Sequence, residues 1–227
     1  MTSTRKRGRA ALLLIAVAAG AASASPSRAS AQGSASPAKR ATDSTYARKA
    51  RADSARLPYT EADVFFMQGM ISHHAQAIVM AKWAPTHGAT PSVHTLCDRI
   101  INAQTDEIVL MQQWLRDRHQ MVPEAKPAPM KMKMNGMEHE MLMPGMLSDA
   151  QMAQLDAARG ADFDRLFLRF MIQHHKGAVS MVKDLFATEG AGQDELVFKF
   201  ASDVNVDQTT EIARMQDMLA HTMFGAP

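Results

Sequence analysis

The chain contains the same long block twice. ADVFFMQGMISHHAQAIVMAKWA, residues 62–84, aligns with FDRLFLRFMIQHHKGAVSMVKDLF at an offset of 101 residues. The alignment matches Asp63 with Asp164, Phe66 with Phe167, Met70 with Met171, His73-His74 with His174-His175, and Met80 with Met181. Downstream, QTDEIVLMQQWL aligns with QTTEIARMQDML at an offset of 104, so the links within the two copies differ in length by three residues. Each copy reads as two amphipathic helices joined by a short connection. One such hairpin cannot bury its apolar stripe alone, and two packed together make a four-helix bundle. The expected fold class is therefore all-α, a bundle built from a duplicated helical hairpin.

Local signals agree with this reading. Thr60 is a good N-cap with Asp63 three residues on, and Pro85 stops the first helix after Ala84. Thr90 caps the second helix, Pro91 takes its first position, and the helix ends near His119 with cations in its last turn. The link PTHGAT makes the pair antiparallel. Ser148 to Arg159, with Gly160 as a stop, reads as a short extra helix.

At about 100° per residue, Asp63, Met67, Met70, His74, Ala77 and Ala81 form one stripe, with Phe66, His73 and Met80 on its shoulder. The second copy places Asp164, Leu168, Met171, His175, Ala178 and Leu185 together, beside Phe167, His174 and Met181. The partner helices carry Gln104 and Glu107, and Gln208 and Glu211, in the middle of otherwise apolar stripes. A carboxylate on an apolar stripe must find a partner. Folding each hairpin about its link brings Glu107 and Gln104 within a turn or so of Met70 and His74, which is the arrangement of a metal site with supporting groups.

Ligand softness selects the metal. Imidazole serves zinc, copper, iron and nickel, whereas thioether is a good ligand only for soft ions, copper(I) foremost. Between the hairpins, MKMKMNGMEHEMLMPGM holds seven methionines and His139 in the seventeen residues from Met130 to Met146. Residues 120–147 read as a methionine-rich loop, and a loop has no core to fill. Core packing accounts for Met67, Met80, Met111, Met152, Met215 and Met218 as single positions. It does not account for adjacent histidine pairs duplicated beside methionine. An oxidant sink or flexible linker is the bland alternative for the loop, and a buried His–Glu bond kept for fold specificity is the alternative for the pairs.

Residues 1–31 read as a secretory signal peptide: Arg5, Lys6, Arg7 and Arg9 precede the uncharged run ALLLIAVAAGAA and two small-residue sites, Ala22-Ser23-Ala24 and Ala29-Ser30-Ala31. The run is too short for a permanent anchor, so a periplasmic or secreted protein is expected. Removing it takes away five of 25 Lys+Arg and none of 23 Asp+Glu, leaving 20 − 23 = −3. No basic patch with interleaved aromatics then remains to bind nucleic acid. Residues 32–57 are small, charged and without apolar periodicity, the composition of a linker, and the folded domain is expected over 58–227. The only cysteine, Cys97, excludes an intramolecular disulfide and reads as a small buried residue.

At FMQGMISHHAQAIVMA, MPGMLSDAQMAQL and FDRLFLRFMIQHHKGAVSMV the sequence resembles the bacterial domain-of-unknown-function family 305, which includes CopM-like periplasmic copper-binding proteins; the resemblance spans about Pro58 to Phe224. It implies a ferritin-like helical bundle and copper binding through methionine and histidine. By position it supports Met70, His73, His74, Met80, Met171, His174, His175 and Met181 as ligands. Met130, Met132, Met134, Met137, His139, Met141, Met143 and Met146 are then auxiliary ligands.

The leading expectation is a non-enzymatic copper-binding protein for sequestration or resistance, exchanging copper with a partner protein. Asp63, Gln104, Glu107, Asp164, Gln208 and Glu211 are supporting groups or alternative ligands. The rival expectation makes Asp63, Glu107, Asp164 and Glu211, with the histidines, a dinuclear iron or manganese site of an oxidoreductase. It lacks the Glu-x-x-His pairs expected there. A third is a metal-free interaction or stress protein of the envelope.

Overall fold

The computed structural model describes residues 59–134 and 137–224; the expected signal peptide, 1–31, and linker, 32–57, lie outside them. In chain order the elements are α1 (Glu61–Ala81), α2 (Pro91–Asp117), β1 (Met130–Met134), β2 (Met137–Met141), α3 (Asp149–Ala157), α4 (Ala161–Ala187) and α5 (Glu195–Phe224). Helices α1 and α2 form one antiparallel hairpin, α4 and α5 the other, and α1 packs on α4 at the centre of an all-α bundle.

The helix starts follow the sequence signals. Thr60 and Asp63 make a full capping box at α1, with the Thr60 N–H donating to Asp63 Oδ2 over 2.7 Å. Ser148 and Gln151 do the same for α3. Thr90 stands at the N-cap of α2 without a side-chain capping bond. Gly160, expected to stop α3, instead takes positive φ at the N-cap of α4, while α3 ends at Ala157. Helix α1 ends at Ala81, and turns carry the chain past Pro85.

Two apolar clusters fill the bundle. Met70 and Met181 share one with Phe66, Met111, Trp114 and Phe200. Met80 and Met171 share the other with Ile100, Phe167, Leu168 and Met215. Because the early part of α1 meets the late part of α4, and the reverse, the two central helices cross antiparallel about a pseudo-two-fold axis. That axis exchanges the two copies of the repeat.

The segment expected as a methionine-rich loop is in part an antiparallel β-ribbon, with Met130 opposite Met141, Met132 opposite His139 and Met134 opposite Met137. The physical reason is a period-two alternation, MKMKM and MEHEM, on either side of Asn135-Gly136, a pair that favours a two-residue reversal. Directly paired residues share a face, so the register assigns Met130, Met137 and Met141 to one face. Lys131, Glu138 and Glu140 take the other, and Lys131 lies 3.7 Å from Glu140 across the strands.

After β2 the segment Met143–Leu147 straps across α1 and α4. Gln76 grips it at both ends of one peptide edge: its Nε2 donates to Leu147 O over 2.9 Å and its Oε1 accepts from Leu147 N over 2.7 Å. On the other side Gly177 makes room, since a Cβ there would stand 1.9 Å from Pro144 O. Gly177→Ala would ordinarily stabilise a helix interior by about 1 kcal/mol. Here it is expected to destabilise by about 1–3 kcal/mol through overpacking, as read by chemical denaturation. A stabilised variant would show that the strap is not held against α4.

Candidate metal centre

Where α1 crosses α4, four imidazoles meet with no exposure to solvent. The rings of His73 and His174 lie 3.7 Å apart between centroids, tilted by 33°. Each has its sequence neighbour 6.3 Å away at 53°, so the two pairs repeat one geometry about the pseudo-axis. His74 Nε2 bonds Glu107 Oε2 over 2.7 Å, and His175 Nε2 bonds Glu211 Oε2 over the same distance. The carboxylates on the apolar stripes of α2 and α5 thus find their partners on the helix each packs against. His73 Nε2 donates to the carbonyl of Pro144 in the strap over 3.0 Å.

Among the described residues, no hydrogen-bond partner faces Nδ1 of His73, His74 or His175, or either ring nitrogen of His174. Burial holds the pKa of His73 and of His174 well below the ordinary histidine value, and neighbouring imidazoles push both further down. Both rings are therefore neutral at pH 7, with lone pairs free to bind an electrophile. Among the described residues, no three His, Cys, Asp or Glu side chains already converge on one point as metal ligands.

The methionines flank this cluster. Met70 and Met171 stand one helical turn before the histidines, and both are fully buried. Met80 and Met181 lie further along the same helices, in opposite clusters. Met130, Met143 and Met146 are buried against the bundle, while Met137 and Met141 are exposed. Met132, Met134 and His139 are placed by their backbone positions in the ribbon. Met143 presses on Gly69, where a Cβ would stand 2.7 Å from its Cε. Together with Met141 and Met181 it lines a cavity of about 290 Å³ walled by Phe65, Phe66 and Leu185.

Asp63 and Asp164, expected beside the histidines, stand elsewhere. Asp63 Oδ1 accepts from Gly192 N over 2.7 Å, and Asp164 accepts from Thr90 N at 3.2 and 3.3 Å. Each carboxylate ties down the turn of the other hairpin. Eleven residues of helix, roughly 16 Å, separate each from the second histidine of its copy. The four-carboxylate arrangement of the dinuclear expectation is thus not assembled. Gln104 and Gln208 are buried beside Glu107 and Glu211 and line one cavity with them.

Sequence reasoning missed the strap. Pro144, Gly145 and Gly177 give no ligand signal, although Pro-Gly marks a turn and Gly145 has a φ of 81°. His87, which the sequence marks only as a surface, core or helix-end residue, is buried with Nε2 2.9 Å from Asp156 O and serves to hold α3. Asp194 escaped notice as well: it accepts from Trp114 Nε1 over 3.1 Å and pairs with Arg118, whose guanidinium stacks 4.3 Å from the Trp114 ring.

A bundle with a duplicated Met-x-x-His-His crossing defines a class of small helical proteins, and comparison with known proteins identifies it. The model of the family described as domain of unknown function DUF305 matches residues 63–219, and the chain belongs to that family. It is similar to a DUF305 fragment from Deinococcus radiodurans, at 29% identity and a TM-score of 0.59 over 72% of this chain and 99% of that one. A DUF305 protein from Streptomyces coelicolor gives 28% and 0.59 over 71% and 93%. CopM in its Cu(I)-bound form gives 28% and 0.54 over 74% and 100%, and CopM has also been solved with Cu(II) and with silver. No curated protein sequence matches the chain.

The two rings with lowered pKa make stability depend on pH. A histidine whose folded pKa lies below its unfolded value near 6.5 contributes stability that is complete above that value. As pH falls below it, the unfolded chain takes up protons that the folded one refuses. Metal-free protein is expected to lose at most about 1.4 kcal/mol per pH unit for each of His73 and His174 below pH 6.5. His174→Phe should reduce that slope. Urea unfolding from about pH 7.5 to 5 checks this, and a flat profile would contradict neutral burial.

Proposed function

We propose that this DUF305 protein is an exported copper-binding protein, taking up copper(I) on thioethers and imidazoles for sequestration or resistance. The observation that carries the reading is the set of buried imidazoles with unpartnered ring nitrogens, of which burial keeps His73 and His174 neutral, beside Met70 and Met171 on the same helical faces. A buried nitrogen without a partner costs free energy unless something fills its lone pair, and a soft ion does. The residues present therefore fit copper, bound as cargo. CopM, 28% identical to this chain, was crystallised with Cu(I), Cu(II) and silver. No helix among the described residues is long and apolar enough to cross a membrane, and the basic, then apolar N-terminal segment supports export.

In this reading His73, His74, His174 and His175 hold the ion in the bundle with Met70, Met80, Met171 and Met181 around them. The methionine face of the ribbon captures it, and Met141, Met143 and Met181 line the space between ribbon and bundle. Glu107 and Glu211 orient His74 and His175 and fix their tautomers. Pro144 O does so for His73. A partner that exchanges copper would approach the exposed Met137 and Met141.

Copper(I) titration against a competing chromophoric chelator tests this. At least one equivalent is expected, and joint replacement of the four histidines, with circular dichroism to confirm folding, should remove the bundle site and spare the ribbon. Unchanged stoichiometry would sink the assignment. Imidazole must be neutral to bind, so a simple histidine peptide loses affinity as pH falls through about 6.5. Burial of His73 and His174 should carry the bundle site to lower pH. A loss of affinity centred at 6.5 would place the ion on exposed imidazole instead.

A further inference from the structure

On the side of the histidines away from the strap, α2 and α5 do not pack closely. They face each other across a cavity of about 170 Å³ lined by Arg99, Gln104, Glu107, Asp207, Gln208 and Glu211. Three carboxylates thus stand against one guanidinium in a partly enclosed gap between the two hairpins. Glu107 and Glu211 each spend one oxygen on a histidine, leaving the other available to the gap. Asp207 lies near enough to Glu107, on the opposite hairpin, and to Glu211 for their charges, after burial, to raise its pKa.

The two glutamines are the independent observation. Gln104 and Gln208 are 3% and 4% exposed, and Oε1 of each has no hydrogen-bond partner among the described residues. A buried amide oxygen left unpaired costs about 1–3 kcal/mol, and here two such oxygens line the same acid-walled space. The buried atoms without a partner that line this gap are both amide oxygens, which are acceptors. No thioether or free imidazole nitrogen lines it. Such a donor set matches a hard divalent cation and mismatches copper(I).

We propose that the gap between α2 and α5 binds a hard divalent cation, partly hydrated, through Glu107, Gln104, Asp207, Gln208 and Glu211. Among the described residues no three carboxylate, imidazole or thiolate side chains converge directly, so the ion keeps several waters, as magnesium does when one or two carboxylates hold it. Bridging the hairpins where they lack packing, it offsets the repulsion between Glu107 and the acids of α5. The site is separate from the copper reading and stands or falls independently of it.

The test uses full-length mature protein with Mn²⁺ alone as the probe, followed by electron paramagnetic resonance, with Mg²⁺ and Ca²⁺ as competitors. Saturable binding of one equivalent is expected, at affinities no weaker than on the order of 1 mM. Bound Mn²⁺ should broaden the side-chain amide resonances of Gln104 and Gln208 and leave the methyls of Met137 and Met141 sharp. Asp207→Asn, and separately Gln104→Leu with Gln208→Leu, should weaken binding by about tenfold or more. Asp207→Asn leaves the His–Glu bonds in place and should keep copper(I) stoichiometry. No saturable binding, or binding unchanged in both variants, would overturn the proposal, as would broadening confined to the ribbon.

Discussion

The contact between His73 and His174, 3.7 Å between ring centroids, puts polar side chains at a helix crossing where a bundle ordinarily places aliphatic ones. Desolvation there forbids charge on either ring, and the charge each neighbouring imidazole would carry makes protonation costlier still. The requirement spreads outward. His74 and His175 take their hydrogen-bond acceptors from the outer helices, where α2 and α5 carry Glu107 and Glu211 on largely apolar stripes. Those acids then leave an oxygen-lined gap between the outer helices instead of a packed seam.

Duplication accounts for the symmetry, and the strap for its breaking. The repeat maps Gln76 onto Gly177, two residues with opposite tasks toward one segment. Gln76 imitates a neighbouring strand and satisfies both backbone groups of Leu147. Gly177 offers bare backbone, against which Pro144 and Gly145 come closer than any side chain would permit. A single segment crossing a two-fold axis cannot contact both copies identically, so one position became a grip and its mate a gap. The carbonyl of Pro144 then distinguishes His73, which it bonds, from His174, whose ring nitrogens stay unpaired.

How much of this was legible in the sequence depends on the range of each interaction. Helical period and an aligned repeat place Met70, His73, His74 and their mates on a buried face, and hairpin geometry brings Glu107 within a turn or so of Met70 and His74, because these relations stay within one hairpin. Asp63 and Asp164 show where that logic stops. On their helices they share the histidine stripe, yet each is claimed by a turn of the other hairpin, and a hydrogen bond spanning 129 or 74 residues leaves no local periodicity. The ribbon was hidden by a different competition. Methionine density drew attention to chemistry, while the same residues alternate with lysine and glutamate at the period of a strand.

At the helix crossing, Met70, Met171, the four histidines, Glu107 and Glu211 are also sorted by depth according to what desolvation costs them. Thioethers lose almost nothing on leaving water, so Met70 and Met171 are fully buried without polar partners. Imidazoles cost more, and three of the four have one ring nitrogen satisfied at full burial. Carboxylates cost most, and the side chains of Glu107 and Glu211 keep 22% and 17% of their surface in solvent while reaching inward to the histidines. A metal-free protein arranged in this order can fold with its soft donors inside and its hard donors at the rim. His174, with neither ring nitrogen paired, is the exception to that ordering, so the least satisfied donor in the bundle lies at the centre of the crossing.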